Sequence, residues 1–164
     1  MKKLIKITHS NDYFTLDNEI EAREYIFIDS LEYTIDLTLK GHGCSVICKE
    51  GEEESLTDAN IRSSVNYNGL ELPVKVISIG AFRGCTNLKS VKIPEGIEKI
   101  YAGAFADCES LTEIYLPDSL KWLGFGAFSG CKSLSTVSLP EICEINGDPF
   151  TGCDLKRLII ERRT

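Results

Sequence analysis

The sequence predicts a β-rich α/β solenoid, a fold in which short coils of similar sequence stack along one axis. An Ala-Phe pair recurs with a spacing of 23 residues at Phe82, Phe105 and Phe128, and a Pro-Phe pair follows 22 residues later at Phe150. A cysteine and a leucine keep step behind the first three phenylalanines, and each of these units closes on an apolar residue followed by proline. Self-similarity with a period of roughly 20–25 residues indicates stacked repeats, which bury their apolar sides against one another.

The first part of the chain predicts strands but carries no repeat. Residues 4–7 suggest a short strand, and residues 25–28 are rich in β-formers. Apolar and polar residues alternate over 33–39, a turn is expected at 40–43, and a second alternating strand follows from Cys44. We interpret these strands as a β-hairpin, and residues 1–62 as a β-rich N-terminal capping region.

Residues 63–164 are predicted to form the solenoid, with about four coils. The Asn68-Gly69 dipeptide lies between β-prone flanks at the start of this part. Asn-Gly is a strong signal for a two-residue hairpin turn, because both residues tolerate a positive φ. The sequence therefore predicts a hairpin over residues 63–74 that leads directly into the repeats.

Each coil is expected to contain one strand and a second extended segment. For a strand at residues 89–94, we expect Val91, Ile93 and the preceding Leu88 to point inward, whereas Ser90 and Lys92 point to solvent. The equivalent inward residues of the next coils are Leu111, Ile114 and Leu116, then Leu134, Val137 and Leu139, then Leu155, Leu158 and Ile160. The second inward pairs are Val74 and Ile77, Ile97 and Ile100, Leu120 and Leu123, and Ile142 and Ile145.

A short helical turn is expected to complete each coil. Phenylalanine, cysteine and leucine follow one another at intervals of three, which places them on one face of such a turn. In the last unit Asp148 and Pro149 stand where the other units have Gly-Ala. An aspartate before a proline is typical of a helix N-cap followed by the first helical position, so this exchange favours a helix.

The unit Ile-x-x-x-Ala-Phe-x-x-Cys-x-x-Leu-x-x-Val-x-Ile-Pro resembles the BspA-like leucine-rich repeat of bacterial surface antigens. The resemblance covers about residues 60–160, and the lead-in at residues 65–74 is also similar. It implies a right-handed leucine-rich-repeat superhelix with a parallel sheet on one face. It further implies protein binding, often by secreted or adhesive proteins, and it brings no catalytic residues.

Charge and hydropathy exclude several classes of partner. The formal net charge is −7, and an acidic chain repels phosphate backbones, so we expect no nucleic-acid partner. No apolar run approaches the roughly 20 residues of a membrane span. Lys6 interrupts the apolar run at the start, and the cysteine count of seven is odd. We therefore expect a cytoplasmic protein, or a surface or secreted one if a leader has been removed.

The solvent-facing positions of the repeat strands are the candidate binding residues, because they differ between coils whereas the core positions do not. Tyrosine and arginine among them are enriched at interfaces. The alternative is an ordinary solvated sheet face, and four strands offer less than the roughly 800 Å² per partner of a standard interface. The candidates are Ser90, Lys92, Glu113, Tyr115, Thr136, Ser138, Arg157 and Ile159.

The cysteines in register with the repeat are expected to be buried core residues. Side chains in neighbouring coils run parallel at about 4.8 Å, which suits neither a disulfide nor tetrahedral zinc. Cys44 and Cys48 are expected to be buried as well. Cys143 lies where other coils have exposed charged residues, so it is the best candidate for a reactive thiol, against the alternative of an idle surface cysteine.

The end of the chain offers a further surface. Residues 155–160 form the last predicted strand, and an uncapped sheet edge invites pairing unless charged residues block it. We therefore consider a homodimer through the C-terminal coil. No catalytic constellation, metal motif or phosphate loop occurs, so we expect no cofactor and no enzyme.

The function we infer from these patterns is a non-enzymatic protein–protein interaction module that binds an unidentified protein through the sheet face or the rims. The alternative is an exported cell-surface or adhesion protein. A third hypothesis, a metal or thiol protein using Cys44, Cys48 and Cys143, is less favoured.

Overall fold

The computed structural model describes residues 24–36 and 43–161, which form thirteen strands and, within these ranges, no helix. The predicted strand at residues 4–7 and the turn at residues 40–42 lie outside the described residues. The strands are β1 (Glu24–Ile28), β2 (Leu31–Asp36), β3 (Gly43–Cys48), β4 (Asp58–Asn60), β5 (Ser64–Tyr67), β6 (Leu70–Ile77), β7 (Ser90–Lys92), β8 (Lys99–Ile100), β9 (Glu113–Tyr115), β10 (Trp122–Leu123), β11 (Thr136–Pro140), β12 (Glu144–Ile145) and β13 (Arg157–Glu161).

Parallel pairing between corresponding strands of successive coils confirms the solenoid. One eight-stranded sheet has the order β1-β2-β3-β6-β8-β10-β12, with β5 paired to β6. The other strand of each coil lies in a three-stranded sheet, β13-β11-β9, or in the pair β4-β7. Every pair from β6 to β12 in the first sheet, and every pair in the two smaller sheets, is parallel. The chain therefore travels in the same direction in every coil.

The strand pairing predicted for the N-terminal part is present, but a separate hairpin cap is not. β1 pairs antiparallel with β2, and β2 with β3. β3 also pairs in parallel with β6, with Cys44 opposite Val74 and Val46 opposite Ile77. The hairpin is thus an extension of the solenoid sheet. The boundary at residues 62 and 63 stays a prediction, although β3 and β4 on its N-terminal side already pair with solenoid strands.

The Asn-Gly turn joins β5 to β6 as predicted. Asn68 and Gly69 have φ values of 49° and 85°, and Tyr67 lies opposite Leu70 across the turn. The Asn66 side-chain oxygen accepts a hydrogen bond from the Gly69 N–H at 3.1 Å. β6 continues past the hairpin to Ile77, so one strand serves both the turn and the first solenoid coil.

The predicted helical turn is wrong, because half of its N–H groups bond to the next coil. The N–H groups of Gly80, Phe82 and Gly84 donate to the carbonyls of Ala102, Ala104 and Ala106, at 3.1, 2.6 and 2.8 Å. The intervening N–H groups bond three residues back within the same coil. An α-helix would use every N–H internally, four residues back. Phenylalanine, cysteine and leucine still share the inward side, since these turns close every three residues.

The residue two positions after each phenylalanine of the stack has the left-handed conformation, which also excludes a helix. It is glycine in three coils, at Gly84, Gly130 and Gly152, with φ between 73° and 78°. The second coil has Asp107 there, with φ 61°. A Cβ atom at residue 130 would come too close to Oδ1 of Asp107, so a larger residue there would displace that side chain in addition to straining the backbone.

The phenylalanine residues form a continuous stack through the core. Neighbouring ring centroids are 4.9, 5.2 and 5.6 Å apart from Phe82 to Phe150, and the first two pairs are parallel to within 3°. Phe82, Phe105 and Phe128 are fully buried, whereas Phe150 is half-buried. The stack therefore crosses every coil and ends at a ring that has a neighbour on one side.

In the last described turn, the Asp148 side chain accepts an N–H group that a carbonyl of the following coil accepts in the earlier turns. The N–H of Phe128 donates to the carbonyl of Pro149 in the next coil, at 2.8 Å. The equivalent N–H of Phe150 instead donates to Oδ1 of Asp148 at 2.9 Å, and the Thr151 hydroxyl donates to Oδ2 at 2.8 Å. The predicted capping contact is thus present, but it closes a turn ladder and not a helix.

Replacing Phe105 by alanine should lower the free energy of unfolding by about 3–5 kcal/mol, because it opens a cavity between two stacked rings. Phe150→Ala should cost less, since its ring is half-buried. Urea unfolding followed by circular dichroism measures both. The exposed Phe125 provides the control, and an equal loss for Phe105→Ala and Phe125→Ala would contradict the stack as the main core element.

Asp148→Ala should lower the urea midpoint at neutral pH, whereas Asp148→Asn, which keeps an acceptor oxygen, should lower it less. Hydrogen bonds from the Phe150 N–H and the Thr151 hydroxyl hold the pKa of Asp148 below its ordinary value of 3.8. The stabilisation is therefore complete above pH 3.8 and is lost as the pH falls through the lower, folded-state pKa. On acidification, the urea midpoint of the wild type should fall more than that of Asp148→Ala. Equal drops in the two midpoints would contradict a stabilising role of the Asp148 carboxylate.

Candidate functional site

The outward side of the strands in the two smaller sheets, which we call the sheet face, carries the predicted binding residues. β9, β11 and β13 lie in register, so Glu113, Thr136 and Arg157 form one row. Tyr115, Ser138 and Ile159 form the next row. Ser90 and Lys92 are exposed on β7 in the equivalent positions, Thr136 and Ile159 are half-buried, and Glu113, Tyr115 and Arg157 are exposed.

The prediction that Ser138 faces solvent is wrong. Only 2% of this residue is exposed. Its neighbours in the same row are the larger Tyr115 and Ile159, and a small side chain between two large ones is covered by them. Ser138 is therefore not an accessible contact residue, and the binding role of the other seven stays a prediction.

The polar groups of the sheet face are bonded to one another. The Tyr115 hydroxyl donates to Oε2 of Glu113 at 3.2 Å, and the nearby Glu113 charge, together with this bond, raises the pKa of Tyr115. The Ser90 hydroxyl donates to Oδ1 of Asp58 at 2.6 Å. That bond and one from the Thr57 hydroxyl lower the pKa of Asp58. Such internal pairing is also what a solvated face would show.

The sequence prediction missed one strand of this surface. β4 pairs in parallel with β7, so Asp58 and Asn60 stand beside Ser90 and Lys92. Leu56, Ala59 and Ile61 are buried in the same way as the inward residues of later coils. Their spacing repeats the Leu-x-x-Val-x-Ile pattern, which is the signal that could have revealed this strand.

The repeat cysteines form an internal ladder, as predicted, and all seven cysteines are free thiols. The thiols of Cys108, Cys131 and Cys153 each donate to the carbonyl of the phenylalanine one coil before, at 3.1 Å. Burial raises the pKa of Cys44 and of Cys153 to about 11. These thiols therefore serve as core side chains that also satisfy backbone carbonyls.

The prediction that Cys143 is exposed is wrong. It is half-buried and packs against the core, whereas its neighbour Ile142 is exposed. Burial and then the charge of Glu144 raise the pKa of Cys143, which disfavours the thiolate. Within residues 24–36 and 43–161, no group of three or more His, Cys, Asp or Glu side chains could hold a metal ion.

The largest departure from the expected core lies at the C-terminal end of the solenoid. Four residues predicted to point inward are largely exposed there, and we call them the end face: Ile142 (70%), Ile145 (44%), Leu158 (53%) and Ile160 (58%). Their counterparts one coil earlier are at most 6% exposed: Leu120, Leu123, Val137 and Leu139. The end face is therefore a cross-section of the core that no described residue covers.

The opposite end of the solenoid is covered. The inward residues of β2 and β3 are at most 6% exposed, and Tyr33 is fully buried. The Tyr33 hydroxyl accepts a hydrogen bond from the Arg62 N–H at 3.1 Å, which joins β2 to the segment after β4. Among the described residues, the predicted core positions that are largely exposed therefore all lie in the C-terminal coil.

Comparison with known proteins agrees with this architecture. A family described as "BspA type Leucine rich repeat region" matches residues 54–164 in six copies. The comparison with curated proteins found no match. Among the described residues, no helix is long and apolar enough to cross a membrane.

Three solved structures illustrate the similarity. A leucine-rich repeat protein from Bacteroides capillosus is 28% identical, with a TM-score of 0.72 over 84% of this chain and 98% of that protein. One from Bacteroides ovatus is 27% identical, with a TM-score of 0.60 over 89% of this chain but only 38% of that protein. A leucine-rich repeat protein of T. pallidum is 26% identical, with a TM-score of 0.59 over 77% and 65% of the two chains.

In the native protein at pH 8, we expect at most one of the seven cysteines, Cys143, to react with a thiol reagent within minutes. The other six are buried or packed in the ladder. Absorbance of the thiolate that the reagent releases measures the rate of reaction. This rate should rise with pH, as the Cys143 thiol of the protein ionises. Cys143→Ser should abolish the reaction, and rapid labelling of this variant would contradict the ladder. Urea should expose every thiol.

Proposed function

The chain belongs to the family of BspA type leucine rich repeat proteins, and we propose that it is a protein-interaction module without catalytic activity that binds through its C-terminal end face. The observation that carries this proposal is the exposure of four core positions in the last coil. Burying apolar surface is favourable by about 25 cal/mol per Å². A partner that covered the end face would therefore gain the stabilisation that every internal coil obtains from its neighbour.

The chemistry of the described residues supports a binding role more than an enzymatic one. The thiols with raised pKa values, such as Cys44 and Cys153, lie in the core or pack against it. The carboxyl groups with lowered pKa values, Asp58 and Asp148, bond to serine, threonine or backbone groups. These contacts are structural, since each satisfies a hydrogen-bond donor in a strand, in a turn or in the residue beside a strand.

The sheet face is the second surface on which such a module could bind. Its exposed Tyr115 and Arg157 are suitable anchors, since tyrosine and arginine are enriched at interfaces. The hydrogen bond between Tyr115 and Glu113 already satisfies the hydroxyl, however, and Ser138 is covered. The end face offers more unsatisfied apolar surface, so it is the stronger candidate.

Family membership also supports the alternative of an exported surface or adhesion protein, and cytoplasmic localisation remains a prediction. Fractionation of the native cells separates the two. Recovery only from the soluble cytosolic fraction would eliminate the surface role, and recovery from the envelope or the medium would eliminate the cytoplasmic one. The interaction proposal applies in either compartment.

We expect proteins captured from native lysate by the tagged chain to be lost when Leu158 and Ile160 are both changed to lysine. Charged groups on the end face would have to be desolvated in any complex. Ile79→Lys is the matched control, because Ile79 is an apolar residue with 75% exposure far from this end. Mass spectrometry of the captured proteins measures the loss.

A sheet-face variant, Lys92→Glu with Tyr115→Ala, tests the second surface in the same experiment. Loss of the captured proteins only with this variant would transfer the binding role to the sheet face. Capture that survived both double variants would overturn the interaction proposal for both surfaces.

A further inference from the structure

We propose that the partner of the end face is a second copy of this chain, joined to the first by antiparallel pairing of β13 with its symmetry mate. This inference rests on the proposed function and names the occupant of the same site. The two copies would be related by a two-fold axis, so the same surface of each would meet the other.

The end face has an open strand edge on one side, and on the turn side one of its N–H groups already has an acceptor. On the turn side, the Asp148 carboxylate already accepts the N–H of Phe150. On the strand side, β13 pairs with β11 along one edge, and the described residues provide no strand along its other edge. A free edge of five residues, Arg157–Glu161, is a template for another strand. The structure therefore favours a partner that adds a strand over one that extends the turn ladder.

The sequence of β13 is self-complementary in one antiparallel register. It reads Arg-Leu-Ile-Ile-Glu. With Ile159 opposite Ile159 of the second copy, Leu158 lies opposite Ile160, and the arginine at position 157 lies opposite the glutamate at position 161. Apolar pairs and opposite charges across an antiparallel pair are both favourable. The pair of Ile159 residues lies on the two-fold axis and occurs once, whereas each of the other contacts occurs twice.

The side chains also meet on the correct side. Leu158 is in register with Val137, and Ile160 with Leu139, so both point toward the core side of the sheet. A two-fold axis perpendicular to the sheet keeps the core side of both copies on the same side. The exposed Ile142 and Ile145 of one copy would then approach those of the other, and two open core cross-sections would close each other.

A second copy fits better than a polar partner or a nucleic acid. The exposed core positions of the end face are aliphatic, and the chain carries a net charge of −7. A complementary surface must therefore be apolar, and the same surface on another copy meets that condition without any further assumption.

Sedimentation velocity of the purified full chain over a concentration series tests the proposal. We expect a concentration-dependent dimer, and the double variant with Leu158→Lys and Ile160→Lys should raise its dissociation constant by about tenfold or more. Ile79→Lys should leave it unchanged. Because Leu158 and Ile160 are largely exposed, the double variant should fold, which its urea midpoint checks against the wild type.

A charge exchange tests the register. Arg157→Glu should weaken the dimer by about fivefold to tenfold, since like charges then face each other at two places. Combining Arg157→Glu with Glu161→Arg should restore it. A dimer that formed but was insensitive to both the lysine variants and the charge exchange would overturn the proposed pairing.

A purified chain that stays monomeric at every concentration would overturn the second copy as the partner. If lysate capture still depended on Leu158 and Ile160, the proposed function would stand with a different apolar protein as the occupant. If capture were also insensitive, both proposals would fail, so the two failures are distinguishable.

Discussion

Successive coils of this protein are joined by two contacts that repeat in register. The turn of each coil donates three N–H groups to the next, such as those of Gly80, Phe82 and Gly84, and the phenylalanine rings stack about 5 Å apart. Both contacts have the spacing of adjacent strands, so a change of register in one would disrupt the other. Because no coil can bury its apolar side alone, this coupling determines the sheet pairing, the cysteine ladder and the left-handed turn positions.

At each end of a stack of coils, the terminal coil has a neighbouring coil on one side, so its other side needs different contacts. At the N-terminal end, the solenoid sheet continues into antiparallel strands, and Tyr33 lies buried beneath them. In the last described coil, Asp148 accepts the N–H of Phe150, whereas the equivalent N–H of Phe128 bonds to the carbonyl of Pro149 in the following coil. At the strand side of this C-terminal end, the described residues provide no comparable contact, and Leu158 and Ile160 are exposed. This difference between the turn side and the strand side is the reason for considering the strand side of the end face as a binding surface.

The distribution of polar and reactive groups fits this view of the molecule. Thiols such as Cys108 and Cys131 bond to carbonyls inside the stack, and the carboxylates of Asp58 and Asp148 accept hydrogen bonds at a strand and at a turn. These groups maintain the contacts between and within coils. Among the described residues, the end face has no comparable role within the fold, and its exposed side chains are aliphatic.

The sequence by itself determined the repeat, its core positions and the Asn68-Gly69 turn, because a period of 23 residues and a φ > 0 dipeptide are local signals. It also showed which side chains of the sheet face vary. The tertiary structure decided the rest. Turns replaced helices because inter-coil hydrogen bonds used their N–H groups, and Ser138 was covered because its neighbours in two other coils are large. Leu158 and Ile160 are exposed among the described residues although they fit the core pattern. Burial depends on what packs against a coil from outside it, and no residue pattern within one coil carries that information.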